Sequence, residues 1–268
     1  MALLQNKNSV IMGVANNRSI ATAIAVEAAN QGANLGFSFL KDDTGKMESR
    51  VRKAVDSLNP AFISPCNVNN DADVKEFFSV AGQKMGKLDH LVHSIAFAPL
   101  EDIRCATVDA SRQGFLTALE SSCFSLIATV KEAVSYMEPG SSIITLSYLG
   151  GERVIPGYNL MGVAKAALEN AIKYLAHDLG PKGIRINGIS AGPIKTLASS
   201  AVGDFGKVLR INERMAPLGR NVTTEEVAKT ATFLMSDMSS GITGELIHVD
   251  AGYHVMGHPG YSLENLDS

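Results

Sequence analysis

The stretch Tyr148-Leu149-Gly150-Gly151-Glu152-Arg153-Val154-Ile155-Pro156-Gly157-Tyr158-Asn159-Leu160-Met161-Gly162-Val163-Ala164-Lys165 leaves an apolar run at 142–146 and enters a helical pattern over 157–179. Gly180-Pro181 stops that helix, and a second apolar run follows at 184–189. Strand, long helix and strand in this order form a crossover unit, which joins parallel strands of one sheet with a right-handed connection. The same stretch places two tyrosines and one lysine where a strand gives way to a helix.

Outward from this unit the alternation continues in both directions. Strands are expected at 9–14, 34–39, from 61–63 to Cys66-Asn67-Val68, at 88–95 and at 246–249. Helices are expected at 20–30, 46–57, from Asp71 as cap to Gly86, over 112–136 as one long element, and over 224–235 behind Thr223 or Thr224. The strands are apolar without alternation, as in a sheet covered on both faces. The expected fold is α/β: a single Rossmann-type, doubly wound, parallel seven-stranded sheet with helices on both faces, one domain over residues 1–268. The weakly patterned stretch at about 192–219 is the natural place for a substrate lid.

Composition agrees. Hydrophobic residues make up 46% and charged residues 19% of 268, enough for a sizeable core. A net charge of −3 gives no general reason to expect nucleic acid or an acidic membrane surface as partner. Cys66, Cys105 and Cys123 show no CxxC spacing, and the six histidines show no metal-ligand spacing, so no metal is expected. Free thiols, no apolar leader and no run of transmembrane length fit a cytoplasmic protein.

Ligands of such sheets sit beyond the carboxyl ends of the strands, at the switch in strand order. Gly13 to Ser19-Ile20 joins the first strand to its helix and suits a pyrophosphate at the helix start, although an ordinary turn explains it equally and the three-glycine fingerprint is absent. Asn67-Val68 suits an adenine or a plain loop. His93-Ser94-Ile95-Ala96-Phe97-Ala98 and Gly192-Pro193-Ile194-Lys195-Thr196 follow two further strands at the same edge. Tyr158 and Lys165 lie seven residues apart, two turns along one helix face and roughly 10 Å along the axis. A phenol is a proton donor, and a nearby ammonium can hold or lower its pKa.

With these elements in place the chain resembles the short-chain dehydrogenase/reductase superfamily. Ordinary members carry a tyrosine four residues before the lysine and a serine thirteen before that tyrosine. Those positions here are Met161 and Tyr148, and the tyrosine stands one turn earlier, at Tyr158. Ser147-Tyr148, Tyr158 with Lys165, His93-Ser94-Ile95 and the run from Ser190 to Thr196 make the chain similar to the divergent branch, the bacterial enoyl-(acyl carrier protein) reductases. The displacement has a chemical sense. Hydride addition to a conjugated thioester occurs at the β-carbon while charge develops on the thioester oxygen, so the phenol is needed about 5.4 Å further along.

The resemblance implies NADH-dependent reduction of the trans-2 double bond of enoyl thioesters on acyl carrier protein, the last step of fatty acid elongation. It implies Tyr158 as donor to the developing enolate and Lys165 on the nicotinamide ribose. Tyr148 would line the acyl pocket, or else serve as a packing aromatic, and Ala98 would touch substrate. Cofactor contacts carried over are Gly13, Ser19, Ile20, Leu40, Asn67, Val68, Ile95, Lys165, Ile194 and Thr196.

Two departures bear on this. NADH-using relatives tend to have glutamine where Leu40 stands, and aspartate is usual where Asn67 stands. Lys41 could pair with a 2′-phosphate while Asp42 would oppose one, so NADH is expected, with NADPH as the alternative. Lys207, Arg210 and Arg214 recur at helical spacing, as a carrier-protein dock or a solvated face, although relatives tend to be basic also where Gly203 and Gly206 stand. A homotetramer is implied by resemblance alone. Two other readings are an ordinary carbonyl reductase, which Met161 opposes, and a non-catalytic dinucleotide-binding protein, which the Tyr158–Lys165 pair opposes.

Overall fold

Seven strands form one wholly parallel sheet in the order β3-β2-β1-β4-β5-β6-β7. The structure is a computed structural model describing residues 2–196 and 205–258. The strands are β1 Asn8–Met12, β2 Asn34–Phe39, β3 Phe62–Pro65, β4 Leu88–His93, β5 Met137–Ser147, β6 Arg185–Ala191 and β7 Leu246–Val249. The helices are α1 Ile20–Asn30, α2 Lys46–Val55, α3 Asp71–Met85, α4 Leu100–Arg104, α5 Arg112–Leu119, α6 Ser125–Ala133, α7 Asn159–Leu179, α8 Phe205–Met215 and α9 Thr224–Met235. The doubly wound architecture read from the alternation is the one observed.

The pleat explains the continuous apolar strands. Successive strand residues point to opposite faces, so Ile11, Val92 and Ile144 enter one core while Val10, Met12, Leu91 and Ile143 enter the other. The first core packs α1 against α9 through Ala21, Ile24, Ala25 and Ala28 facing Val227, Ala228 and Ala231. Small side chains there let the two helices approach each other and the sheet. The second packs Val74, Phe77 and Phe78 of α3, Leu126 and Val130 of α6, and Leu168 and Ile172 of α7. Phe77 is fully buried, its ring centroid 5.6 Å from Phe62 and 5.2 Å from Phe78. Truncating such a ring costs about 3–5 kcal/mol.

The structure corrects several expected boundaries. The helix at 112–136 is interrupted: a π-helical segment at Glu120–Phe124 separates α5 from α6, and a 3-10 turn closes it at Val134–Tyr136. Hydroxyl groups compete for the backbone there, Ser125 Oγ donating to the Ser121 carbonyl at 2.8 Å and Thr129 Oγ1 to that of Ser125 at 2.8 Å. The cap of α3 is Asn70, not Asp71: its side chain accepts from the N–H groups of Ala72 and Asp73. Asp71 sits in the first turn, where its charge suits the helix dipole. Thr223, rather than Thr224, caps α9, with Glu226 completing a capping box.

Strand β5 begins five residues before the expected 142, with a register irregularity opposite Leu88–His90. Two helices were not expected as elements. Helix α4 has five residues, too few for a period to show, and α8 lies inside the stretch read as a lid. Of that stretch, 197–204, and with it Gly203, lie outside the described residues.

Candidate active site

The order of the sheet reverses between β1 and β4, and the carboxyl ends of β1, β4, β5 and β6 open onto one cavity of about 410 Å³. Its lining is mostly apolar. Ile20, Ala98, Tyr148, Tyr158, Lys165, Ile194 and Thr196 all line it, so one cavity gathers residues spread over 177 positions of sequence, from 20 to 196. Met161, at the place of the ordinary tyrosine, lines it too and offers no proton.

Just after β1 the chain turns at Gly13 with φ +95°, a left-handed backbone open to glycine. A Cβ there would overlap the carbonyl of Ser94, so β1 and β4 meet too closely for any side chain. Ser19 is the N-cap residue of α1, but its side chain makes no capping hydrogen bond. Its Oγ instead accepts from the N–H groups of Ala15 and Asn16, at 3.2 and 3.1 Å, and shapes the loop. The first turn of α1 holds no acidic residue, so nothing there opposes an anion.

Six of the expected cofactor residues do not line the cavity, Gly13 and Ser19 in the loop before α1 and four others. Leu40, Asn67, Val68 and Ile95 follow β2, β3 and β4 at the same edge of the sheet. Leu40 is exposed, and Val68 and Ile95 pack against the second core. The Asn67 side chain accepts from the N–H of Asn69 at 3.1 Å, a fixed loop rather than an open one. Beside Leu40, Asp42 accepts from Thr44 Oγ1 and from the Met47 N–H, and these hydrogen bonds hold its carboxyl below the usual range.

Tyr158 lies at the start of α7 and Lys165 within it. Tyr158 is its N-cap residue rather than lying within it, and half-buried. The rings of Tyr148 and Tyr158 meet edge to face, centroids 4.9 Å apart at 78°. Lys165 is buried, and its Nζ donates to the Leu146 carbonyl at 2.6 Å. Burial lowers its pKa to about 8 against the opposing effect of Glu169. Burial likewise pushes the Tyr148 phenol up to about 12. The Tyr158 phenol is raised as well, by burial first and then by Tyr148 and Glu169. Of the two effects open to a nearby ammonium, holding or lowering the phenol, the lowering is not seen, because desolvation of the phenolate dominates. Tyr158 stays protonated, as a donor must.

The sequence reading passed over several residues. Leu100 and Ile103 of α4 and Phe205 and Val208 of α8 close the cavity. Glu169, one turn beyond Lys165, accepts from Ser147 Oγ at 2.5 Å, and burial raises its carboxyl. Its i+4 spacing from Lys165 was a visible signal. His248 Nε2 meets Glu152 Oε1 at 2.6 Å. His93 is fully buried between Ser125 and Thr145, and burial lowers its pKa to about 3, so it is neutral. Among the described residues no group of three or more His, Cys, Asp or Glu is placed to hold a metal ion, and no helix is long and apolar enough to cross a membrane.

The family model for enoyl-(acyl carrier protein) reductase matches residues 13–254. The NADH enoyl-(acyl carrier protein) reductase of Nostoc is 51% identical over 257 residues, covering 96% of this chain and 100% of that protein. The crystal structure of the Bacillus cereus enoyl-acyl carrier protein reductase with NADP+ and indole naphthyridinone superposes with a TM-score of 0.93 at 50% identity, over 96% of this chain and 100% of that one. The Anaplasma phagocytophilum reductase in complex with NAD gives a TM-score of 0.90 at 41% identity, over 96% and 95%.

Proposed function

The chain belongs to the enoyl-(acyl carrier protein) reductase family, and on that premise we propose how its own residues perform the reaction. It is an oxidoreductase that reduces the trans-2 double bond of enoyl thioesters on acyl carrier protein, the last step of fatty acid elongation. Its cofactor is NADH, with NADPH as the alternative.

The bound dinucleotide supplies a hydride to the β-carbon. Gly13, Ser19 and Ile20 receive the pyrophosphate at the start of α1, where the backbone approaches closely and no carboxylate competes. Leu40 borders the adenosine ribose, Asn67 and Val68 the adenine, and Ile95, Ile194 and Thr196 the nicotinamide end. Asp42, anionic at the end of β2, disfavours a 2′-phosphate, which supports NADH as the first choice. Lys165 binds the nicotinamide ribose hydroxyls while Leu146 fixes its ammonium. Tyr158 hydrogen-bonds the thioester oxygen as negative charge grows there and supplies the proton. Ala98 and Tyr148 border the acyl chain.

One observation carries this reading. Tyr158, which carries a hydroxyl where Met161 carries none, lines the same cavity as Lys165. Trans-2-enoyl thioesters of acyl carrier protein should therefore drive NADH oxidation, followed spectrophotometrically, and simple ketones should not. Activity on ketones alone would overturn the proposal.

Four further assignments belong to the same reading. The chain acts as one domain, with α8 as part of the substrate cover. Lys207, Arg210 and Arg214 are exposed on α8, opposite the Phe205 and Val208 that line the cavity, which supports docking of the acidic carrier. Exposed Phe115, Leu116, Phe124 and Ile127 along α5 to α6 support a homotetramer, to be checked by light scattering. The three free cysteines support a cytoplasmic setting.

A further inference from the structure

Asn159, next to the proposed donor, has a backbone that asks for an explanation. Its φ is +33°, in the left-handed region, where a side chain other than glycine is strained and asparagine is among the best tolerated. Its side chain is also committed. Nδ2 donates to the carbonyl of Ile103 at 3.0 Å and to that of Cys105 at 2.6 Å. These two carbonyls belong to the end of α4 and its C-cap, acceptors that a five-residue helix cannot satisfy itself. One amide group thus joins the start of α7 to the end of α4.

Both sides of that joint face substrate. From α4, Leu100 and Ile103 line the cavity, and from the start of α7, Tyr158 and Met161 do. Ile103, Ala98, Leu160, Met161 and Ala164 form one small apolar cluster against which Tyr158 packs. This cluster is separate from the two main cores, and α4 is otherwise tied by Asp102, which accepts from the N–H and Oγ of Ser111 at the start of α5.

We propose that Asn159 is a positioning residue for the reduction, clamping the acyl-pocket wall of α4 to the start of α7 so that substrate and the Tyr158 hydroxyl are held in one frame. The inference rests on the assignment of Tyr158 as donor. The left-handed turn aims the Asn159 amide back at α4, and the strain is the cost of that aim. None of the residues assigned to the cofactor belongs to α4, so NADH affinity should not depend on the clamp.

Asn159→Gly keeps the left-handed backbone and removes the amide. It should bind NADH as the parent does, yet lose about tenfold in kcat/KM for an enoyl thioester. Asn159→Asp keeps the shape but turns an anion toward two carbonyls. Its activity relative to the parent should rise as pH falls from about 8 to about 6, because protonation restores one donor, whereas that of Asn159→Gly should stay flat. Parent-like kcat/KM in both variants, with only a lowered Tm, would overturn the proposal, as would loss of NADH binding in both. Tyr158→Phe assayed alongside separates the two readings. If it is impaired and the Asn159 variants are not, only the clamp fails; if Tyr158→Phe is unimpaired, the donor assignment fails first.

Discussion

The Tyr158 ring stands edge to face against Tyr148, with 4.9 Å between centroids, so the phenol is held by an aromatic wall. Burial keeps that phenol protonated throughout the neutral range. Tyr158→Phe keeps the ring packing and removes only the donor. Turnover with an enoyl thioester should fall by about 10²-fold, while NADH affinity, read by fluorescence titration, should stay unchanged. Unchanged turnover would remove Tyr158 from the chemistry.

Lys165→Ala should weaken NADH itself, by about tenfold or more, because a charged donor to the ribose is lost. The pH dependence has a definite sign. The free lysine titrates at about 8, and hydroxyl acceptors on a bound ribose favour its ammonium form. The complex therefore holds more protons than the free protein above that pH, and affinity should fall as pH rises through 8 and beyond. Titrations across this range should show the fall in the parent and its absence in Lys165→Ala.

Asp42→Ser should narrow the preference for NADH over NADPH. Asp42 lies at the surface, half-buried, so screening keeps the effect to about three- to tenfold in the ratio of the two kcat/KM values. An unchanged ratio would show that the carboxylate plays no part in discriminating the 2′-phosphate.

Gly13→Ala should be poorly tolerated. The new Cβ would meet the Ser94 carbonyl in a backbone already at φ +95°. A loss of about 1–3 kcal/mol from the backbone conformation alone is expected, together with weakened NADH binding. Denaturant unfolding measures the first and titration the second.

The sheet was legible in the sequence because its strands are buried on both faces. Val10, Ile11 and Met12 must all be apolar when alternate residues feed two different cores. What stayed hidden is set by packing, not by period. The π segment at Glu120–Phe124 depends on hydroxyls choosing backbone acceptors, and α4 is too short to repeat. Asn70 and Asp71 are both good caps, and only the start of the helix decides between them. In the site, Lys165 gave the frame and Tyr158 the departure from it, since Tyr158 is the N-cap residue of the helix that carries Lys165. Leu100, Ile103, Phe205 and Val208 reach the cavity from segments whose placement no local pattern announces. Glu169 was visible at one turn from Lys165, but its bond to Ser147 joins a helix to a strand end twenty-two residues earlier.

The wholly parallel order of the strands also governs how the molecule comes into being. Every neighbouring pair is bridged by a long crossover, so the sheet depends on contacts between distant parts of the chain, which slows folding. The cavity needs residues from Ile20 to Val208, so a nascent chain emerging from the ribosome has no cavity until most of it has been synthesised. A dinucleotide that binds only the finished cavity then acts as a folding ligand. At a hundred times its Kd it would add about 2.7 kcal/mol to the stability of the native state, so a supply of reduced cofactor would shift the balance away from the unfolded chain that proteases attack.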